Sequence, residues 1–135
     1  MSTIKTNTLT GTTSAGSIVV TGEGGSNTTN LQQGLAKQWM QFETTSSNSV
    51  RDSLGTTGIT DNGTGDYDIN FSITFANTDF SLQILAYPHA TWNQIGMPSH
   101  EGNFTTSKVE VFSVGTGGTK NDTRLFTTTV HGDLA

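Results

Sequence analysis

The sequence predicts an all-β protein: an extended N-terminal arm, a short helical joint, and an antiparallel β-sandwich or jelly-roll-like domain. Only 31% of the residues are hydrophobic and 13% are charged, and Thr, Ser, Asn and Gly supply most of the rest. Thr favours strands, whereas Gly and Asn favour tight turns. Apolar and polar residues alternate strictly from Tyr67 to Phe75, and clusters of turn-forming residues recur at short intervals, which together indicate short antiparallel strands.

The first 37 residues form a separate arm and joint. Ser17 to Thr21 is a short apolar strand, followed by the glycine-rich segment 22–27. The arm either stays disordered or pairs at an exposed sheet edge with copies of itself or with a neighbouring protein. We expect pairing, because the strand would otherwise be an exposed apolar edge. Its central residues, Ile18, Val19 and Val20, are the candidate anchoring and oligomerisation strand.

Leu31 to Lys37 is the only helix-like stretch. Asn30 is a suitable N-cap, and Leu31 and Leu35 lie on one helical face. Gly34 makes so short a helix marginal. We expect it to join the arm, residues 1–37, to the sandwich domain, residues 38–135.

The remaining sequence predicts strands separated by turns. The strands are expected near 38–44, 50–54, 67–76, 80–87, 107–115 and 123–131. The strand at 80–87 has apolar residues on both faces towards its end, so we expect it to be central in its sheet. Residues 88–106 are expected to form a long irregular region, and loops of that length are often functional.

The start of that region is the candidate surface-recognition loop. An aromatic ring there could stack on a sugar while amides bond its hydroxyls. The residues are Tyr87, His89, Trp92 and Asn93. The alternative is that Trp92 fills the core or a subunit interface.

No metal or cofactor site is expected. The acidic residues around Gly63 and Gly65 lack the spacing of a calcium loop, and a hairpin with its tip at Asn62-Gly63 explains them better. His89, His100 and His131 could in principle bind a metal with Glu101 or Asp133, or three copies of one histidine could do so in a trimer, but surface or packing roles are their default.

No catalytic residues are expected either. The sequence has no cysteine and no Gly-x-Ser-x-Gly elbow. Acidic side chains could act as a pair only if they met in one cleft; the candidates are Asp52, Asp79, Glu101 and Glu110. We therefore predict that the protein is not an enzyme.

Charge and hydropathy narrow the partners. The net charge is −5 and the six Lys and Arg are scattered, so we expect no nucleic-acid binding, which needs clustered cations. No apolar stretch approaches bilayer length, so we expect no membrane insertion. The start of the chain lacks a signal-peptide pattern, so we expect no export by the usual route.

Three segments carry a resemblance to a known family: Trp39 to Phe42, Arg51 to Ser53, and Ile59 to Phe71 with its Asp-Asn-Gly-Thr-Gly-Asp-Tyr string. The chain resembles tail-fibre-like virion structural proteins of tailed bacteriophages, of the marine and cyanophage type, over residues 38 to 88.

This resemblance implies a homotrimer that serves as a short tail-fibre-type appendage or a head-decoration protein. It would be made in the host bacterial cytoplasm, reside in the virion, and bind other virion proteins and a host cell-surface glycan. The chain departs from the family in its brevity and in the segment Leu54 to Gly58, which favours a decoration or minor appendage over a complete fibre.

Two other functions stay open. One is a carbohydrate-binding β-sandwich module with no viral role. The other is a small acidic hydrolase, which would require two carboxylates in one cleft.

Overall fold

A computed structural model describes residues 3–13, 18–45, 48–87, 94–100 and 103–135. The chain divides into two compact units, Met1–Leu35 and Ala36–Ala135. Antiparallel strands dominate, and the predicted all-β sandwich is confirmed.

The first unit contains a small hairpin. β1 (Val19–Thr21) pairs antiparallel with β2 (Thr28–Asn30), a strand that the sequence did not predict. α1 (Leu31–Gly34) follows directly, and the predicted N-cap is confirmed because Asn30 Oδ1 accepts a hydrogen bond from the Gln33 backbone N–H at 3.1 Å. The helix ends at Gly34, earlier than expected, as a mid-helix glycine favours.

The second unit is a sandwich of two four-stranded antiparallel sheets. Its strands are β3 (Gln38–Glu43), β4 (Ser49–Leu54), β5 (Thr56–Gly63), β6 (Asp66–Phe71), β7 (Ser81–Tyr87), β8 (Gln94–Pro98), β9 (Lys108–Gly115) and β10 (Leu125–His131). The first sheet has the order β4-β3-β10-β7 and the second the order β5-β6-β9-β8.

A single glycine carries the chain from one sheet to the other. Gly55 separates β4 from β5 and has a φ of 68°, which glycine adopts without strain. A Cβ here would lie 2.2 Å from the Lys37 carbonyl oxygen. The corner therefore requires glycine both for its backbone conformation and for space.

The core lies wholly within the second unit. Alternate residues of β3, β6, β9 and β10 point inward, and the buried apolar set is Met40, Phe42, Tyr67, Ile69, Phe71, Phe75, Ala86, Val109, Val111, Phe126 and Val130. Phe42, Tyr67 and Phe126 form one aromatic cluster with centroid distances of 5.0 to 6.2 Å. Aromatic pairs in this range add to the stability that burial provides.

Three predictions about the strands were wrong. The strand predicted at 67–76 ends at Phe71, although Phe75 remains buried and bridges Leu134. No strand was predicted between 54 and 67, but this stretch contains β5, which accommodates its glycines through register shifts beside Gly58 and Gly63. The irregular region predicted at 88–106 contains β8, an edge strand, where glycine and proline are tolerated.

The predicted position of β7 within its sheet was also wrong. It lies at the edge of its sheet rather than at the centre, beside β10. Its outward residues Leu85 and Tyr87 are 52% and 48% exposed. The apolar residues on both faces therefore reflect an apolar outer surface and not burial on both sides.

Candidate binding face

The outward side of the sheet β4-β3-β10-β7, hereafter the outer face, carries an unusual mixture of side chains. β3 alternates buried and half-buried residues, so Gln38, Met40 and Phe42 point into the core. The intervening residues Trp39 and Gln41 point outward. The sequence thus places an indole on the polar side of an amphipathic strand.

Strand register arranges these side chains in rows across the sheet. One row runs from Leu54 through Trp39 and Thr129 to Gln83; the next runs from Asp52 through Gln41 and Thr127 to Leu85. Directly opposite residues on antiparallel strands have Cβ atoms about 4.5–5.5 Å apart. The rows therefore form a continuous surface of apolar, amide and hydroxyl groups.

A β-bulge in β4 changes the chemistry of this surface. Gln41 pairs with Asp52 while the next residue, Phe42, pairs with Val50, so Arg51 is the extra residue. A bulge sets two residues against one on the neighbouring strand. As a result, Asp52 and Arg51 both lie on the outer face. Asp52 lies beside Gln41, and Arg51 forms an ion pair with Glu43 at 2.7 Å.

A first hollow in the outer face, the indole hollow, has a volume of about 420 Å³. It is lined by Trp39, Met40, Gln41, Asp52, Thr127, Thr128 and Thr129. The side chains of Gln41, Thr127 and Thr129 hydrogen-bond to no residue that the structure describes. Their donors and acceptors are therefore open to a ligand beside an aromatic ring.

The second, the arginine hollow, measures about 280 Å³ and is lined by Arg51, Tyr87, Arg124 and Leu125. The chain contains two arginines, and both line it. Arg51 is paired with Glu43, whereas Arg124 is exposed and has no ion pair within the described ranges. The hollow thus carries one uncompensated positive charge.

Hydrogen bonds to the two residues that precede Arg124 hold this part of the chain in place. Thr123, next to Arg124, is fully buried, and its backbone N–H donates to Thr44 Oγ1 at 2.8 Å. On the other side, Tyr67 Oη donates to Asp122 Oδ1 at 2.7 Å. Burial raises the pKa of Tyr67 well above its usual value, and the Asp122 charge adds to that increase.

The outward side of the other sheet differs in its electrostatics. Lys108 pairs with Asp68 at 2.8 Å, and Lys120 pairs with Asp66 at 2.6 Å while lying 3.5 Å from the centre of the Phe112 ring. Its cations are therefore engaged with neighbouring side chains. The uncompensated arginine lies on the outer face instead.

The segment with the Asp-Asn-Gly-Thr-Gly-Asp-Tyr string forms a hairpin. Ile59 to Phe71 builds the hairpin β5–β6, whose two-residue turn is Thr64-Gly65 and not the predicted Asn62-Gly63. Asp61 Oδ1 accepts from the Gly63 N–H at 2.9 Å within the hairpin. A Cβ on Gly65 would lie 2.6 Å from the Asn121 backbone nitrogen, so glycine is required there.

The structure describes only some of the predicted site residues. Val19 and Val20 lie in β1 and are 56% and 44% exposed, and Ile18 O accepts a hydrogen bond from the Leu31 N–H. Tyr87 ends β7 and lines the arginine hollow. The other loop residues, His89, Trp92 and Asn93, lie outside the described residues, as does Glu101.

Two of the acidic residues considered for catalysis, Asp52 and Glu110, lie far from each other. Asp52 lies on the outer face, whereas Glu110 lies on the outward side of the opposite sheet, between the inward residues Val109 and Val111. Among the described residues no group of three His, Cys, Asp or Glu is close enough to hold a metal ion.

The sequence reasoning missed Trp39, Gln41, Arg51 and Arg124 as site residues. Trp39 could have been found, because the alternation in β3 sets it opposite Met40 and Phe42. Arg51 and Arg124 are 73 positions apart in the sequence, and only the pairing of the sheet brings them to one hollow.

Comparison with known proteins gives no match to a protein-family model, a curated protein or a solved structure. Within the described part of the chain, no helix has the length and apolar character needed to cross a membrane.

Proposed function

We propose that the chain is a non-catalytic structural component of a tailed-phage particle, either a short tail-fibre-type appendage or a head-decoration protein. It is made in the host bacterial cytoplasm and resides in the virion as a homotrimer. Its first unit anchors it to other virion proteins, and its sandwich binds outward. The observation that carries this proposal is the pair of exposed valines, Val19 and Val20, in the hairpin of the first unit, since the sandwich core is complete within the second unit.

The hairpin is poorly suited to stand alone. Its two strands have three residues each, and an isolated two-stranded hairpin is at best marginally stable in water. Val19 and Val20 are both exposed. Pairing of a free strand edge with another chain would bury these residues and satisfy the backbone groups at that edge.

The sandwich supports binding rather than turnover. The motif that resembles phage proteins forms a structural hairpin, and Asp52 and Glu110 lie on opposite sides of the sandwich. Among the described residues, the outer face offers aromatic, amide and hydroxyl groups for binding.

Light scattering tests the assembly role. We expect the full-length protein to have the mass of three chains and a version beginning at Ala36 to have the mass of one. Val19→Ser with Val20→Ser should reproduce the effect of truncation, whereas Leu9→Ser, at a residue that is 62% exposed outside the hairpin, should leave the trimer intact. A full-length monomer would overturn the proposal.

A carbohydrate-binding module with no viral role is the second candidate. It is favoured by the indole hollow, where Trp39 lies beside open amide and hydroxyl groups. Aromatic rings with a few placed polar groups are the usual composition of such sites.

A further inference from the structure

We infer that the outer face binds an anionic oligosaccharide, with a sugar ring on Trp39 and a carboxylate or sulfate group in the arginine hollow. The inference deepens the carbohydrate-binding candidate by naming its ligand class, and it applies equally if the face serves host attachment by a virion. It rests on the two hollows and on the charges that line them.

The indole hollow supplies the contacts of a sugar subsite. Trp39 is half-buried, so its ring is held by the sheet while part of it remains accessible. Gln41 offers both donors and acceptors, and Thr127 and Thr129 offer hydroxyls. Asp52 Oδ1 accepts from the Ser53 N–H at 2.9 Å, which leaves its second oxygen to accept from a sugar hydroxyl.

The arginine hollow supplies the contacts of an anion subsite. A guanidinium group presents a planar fork of N–H donors that matches the oxygens of a carboxylate and also binds sulfate-like groups. Arg124 has no competing carboxylate among the described residues, whereas Arg51 is held by Glu43. Tyr87 adds an aromatic wall and a hydroxyl.

The strand geometry sets the two hollows at a useful spacing. Trp39 lies opposite Thr129 on β10, and Leu125, which lines the arginine hollow, is four residues away on the same strand. A strand rises about 3.3 Å per residue, so the row that contains Trp39 is roughly 13 Å from the arginine hollow. One extended oligosaccharide can therefore occupy both, and an isolated monosaccharide cannot.

The charge of the whole chain makes this arrangement selective. The net charge is −5, and the lysines on the outward side of the other sheet are paired with aspartates. An anionic ligand is thus repelled by much of the protein and is attracted where Arg124 lies unpaired.

Calorimetric titration of the full-length protein tests the inference with three tetrasaccharides: neutral galactan, sulfated galactan and polygalacturonate. We expect at least one anionic tetrasaccharide to bind about tenfold more tightly than the neutral one, as one added charge-assisted hydrogen-bond pair provides. Added salt should weaken the binding of the anionic tetrasaccharide and leave the binding of the neutral one unchanged.

Variants separate the two hollows. Arg124→Gln should remove the anionic preference, while Lys108→Gln, which changes the charge equally on the opposite sheet, should keep it. Trp39→Ala should weaken the binding of all three tetrasaccharides, and Gln41→Ala should do the same as a milder change. Ile95→Ala, at a 65% exposed residue of β8, should leave the binding of all three unchanged. Circular dichroism confirms that each variant is folded.

The outcomes distinguish the inference from the proposed functions. Equal binding of neutral and anionic tetrasaccharides that is lost in Trp39→Ala overturns the anionic assignment and retains the carbohydrate-binding candidate. Binding of no tetrasaccharide overturns both. If Trp39→Ala then also lowers the mass by light scattering, the outer face is a contact between copies of the chain, and the homotrimer is retained while its assignment to the hairpin of the first unit is overturned.

Discussion

At the scale of single residues, Tyr67 combines a ring in the apolar core with a hydroxyl that hydrogen-bonds to a carboxylate. Its ring is fully buried between the sheets while its hydroxyl donates to Asp122. Tyr67→Phe keeps the ring and removes the donor, so it should lower the free energy of unfolding by about 1.5–3 kcal/mol, the range for a bond to a charged group. Urea denaturation measures the change, and Tyr87→Phe, at an exposed residue, is the control expected to be near neutral.

Tyr67 also predicts a pH dependence. Its folded-state pKa is raised above the ordinary value of 10.0, so folding favours the protonated phenol. The stability that results is fully present below pH 10 and is lost as the pH rises towards the folded-state pKa. Between pH 10 and 12 the wild type should therefore lose more stability than Tyr67→Phe, and parallel losses in the two proteins would contradict this account.

At the scale of elements, the corner between β4 and β5 depends on one glycine. Gly55→Ala adds a Cβ at a positive φ and within 2.2 Å of a carbonyl oxygen, so it should destabilise the sandwich by more than about 2 kcal/mol. Gly117 has a φ of 97° with no atom within 4 Å of an added Cβ. Gly117→Ala should therefore lower the free energy of unfolding only by the cost of the backbone conformation, about 1–2 kcal/mol. Equal urea midpoints for the two variants would exclude a steric clash of the added Cβ at the corner.

The elements also show what sequence patterns can and cannot predict. β3, β9 and β10 were predicted close to their true limits, because one face of each is buried and alternation is then strict. β5 and β8 lie at sheet edges, where glycine and proline weaken the pattern. The outer face was missed for another reason: its hollows are formed by register and by the bulge at Arg51, which depend on residues distant in sequence.

At the scale of the whole molecule, the two units have different sources of stability. The second unit contains the complete apolar core, from Met40 to Val130. A protein beginning at Ala36 should therefore unfold cooperatively by itself. The first unit has no buried apolar residue among those described, so whatever stabilises it beyond its own hairpin must come from contacts outside it.

This difference makes thermal unfolding a test of assembly. If the hairpin of β1 and β2 holds copies of the chain together, association stabilises the folded state by mass action, and the unfolding midpoint of the full-length protein should rise with protein concentration. The version beginning at Ala36 should show the same midpoint at every concentration, because it lacks the hairpin. Calorimetric scans over a hundredfold concentration range measure both. A full-length midpoint that does not move with concentration would mean that the exposed valines of β1 do not join copies of this chain, and it would contradict the homotrimer.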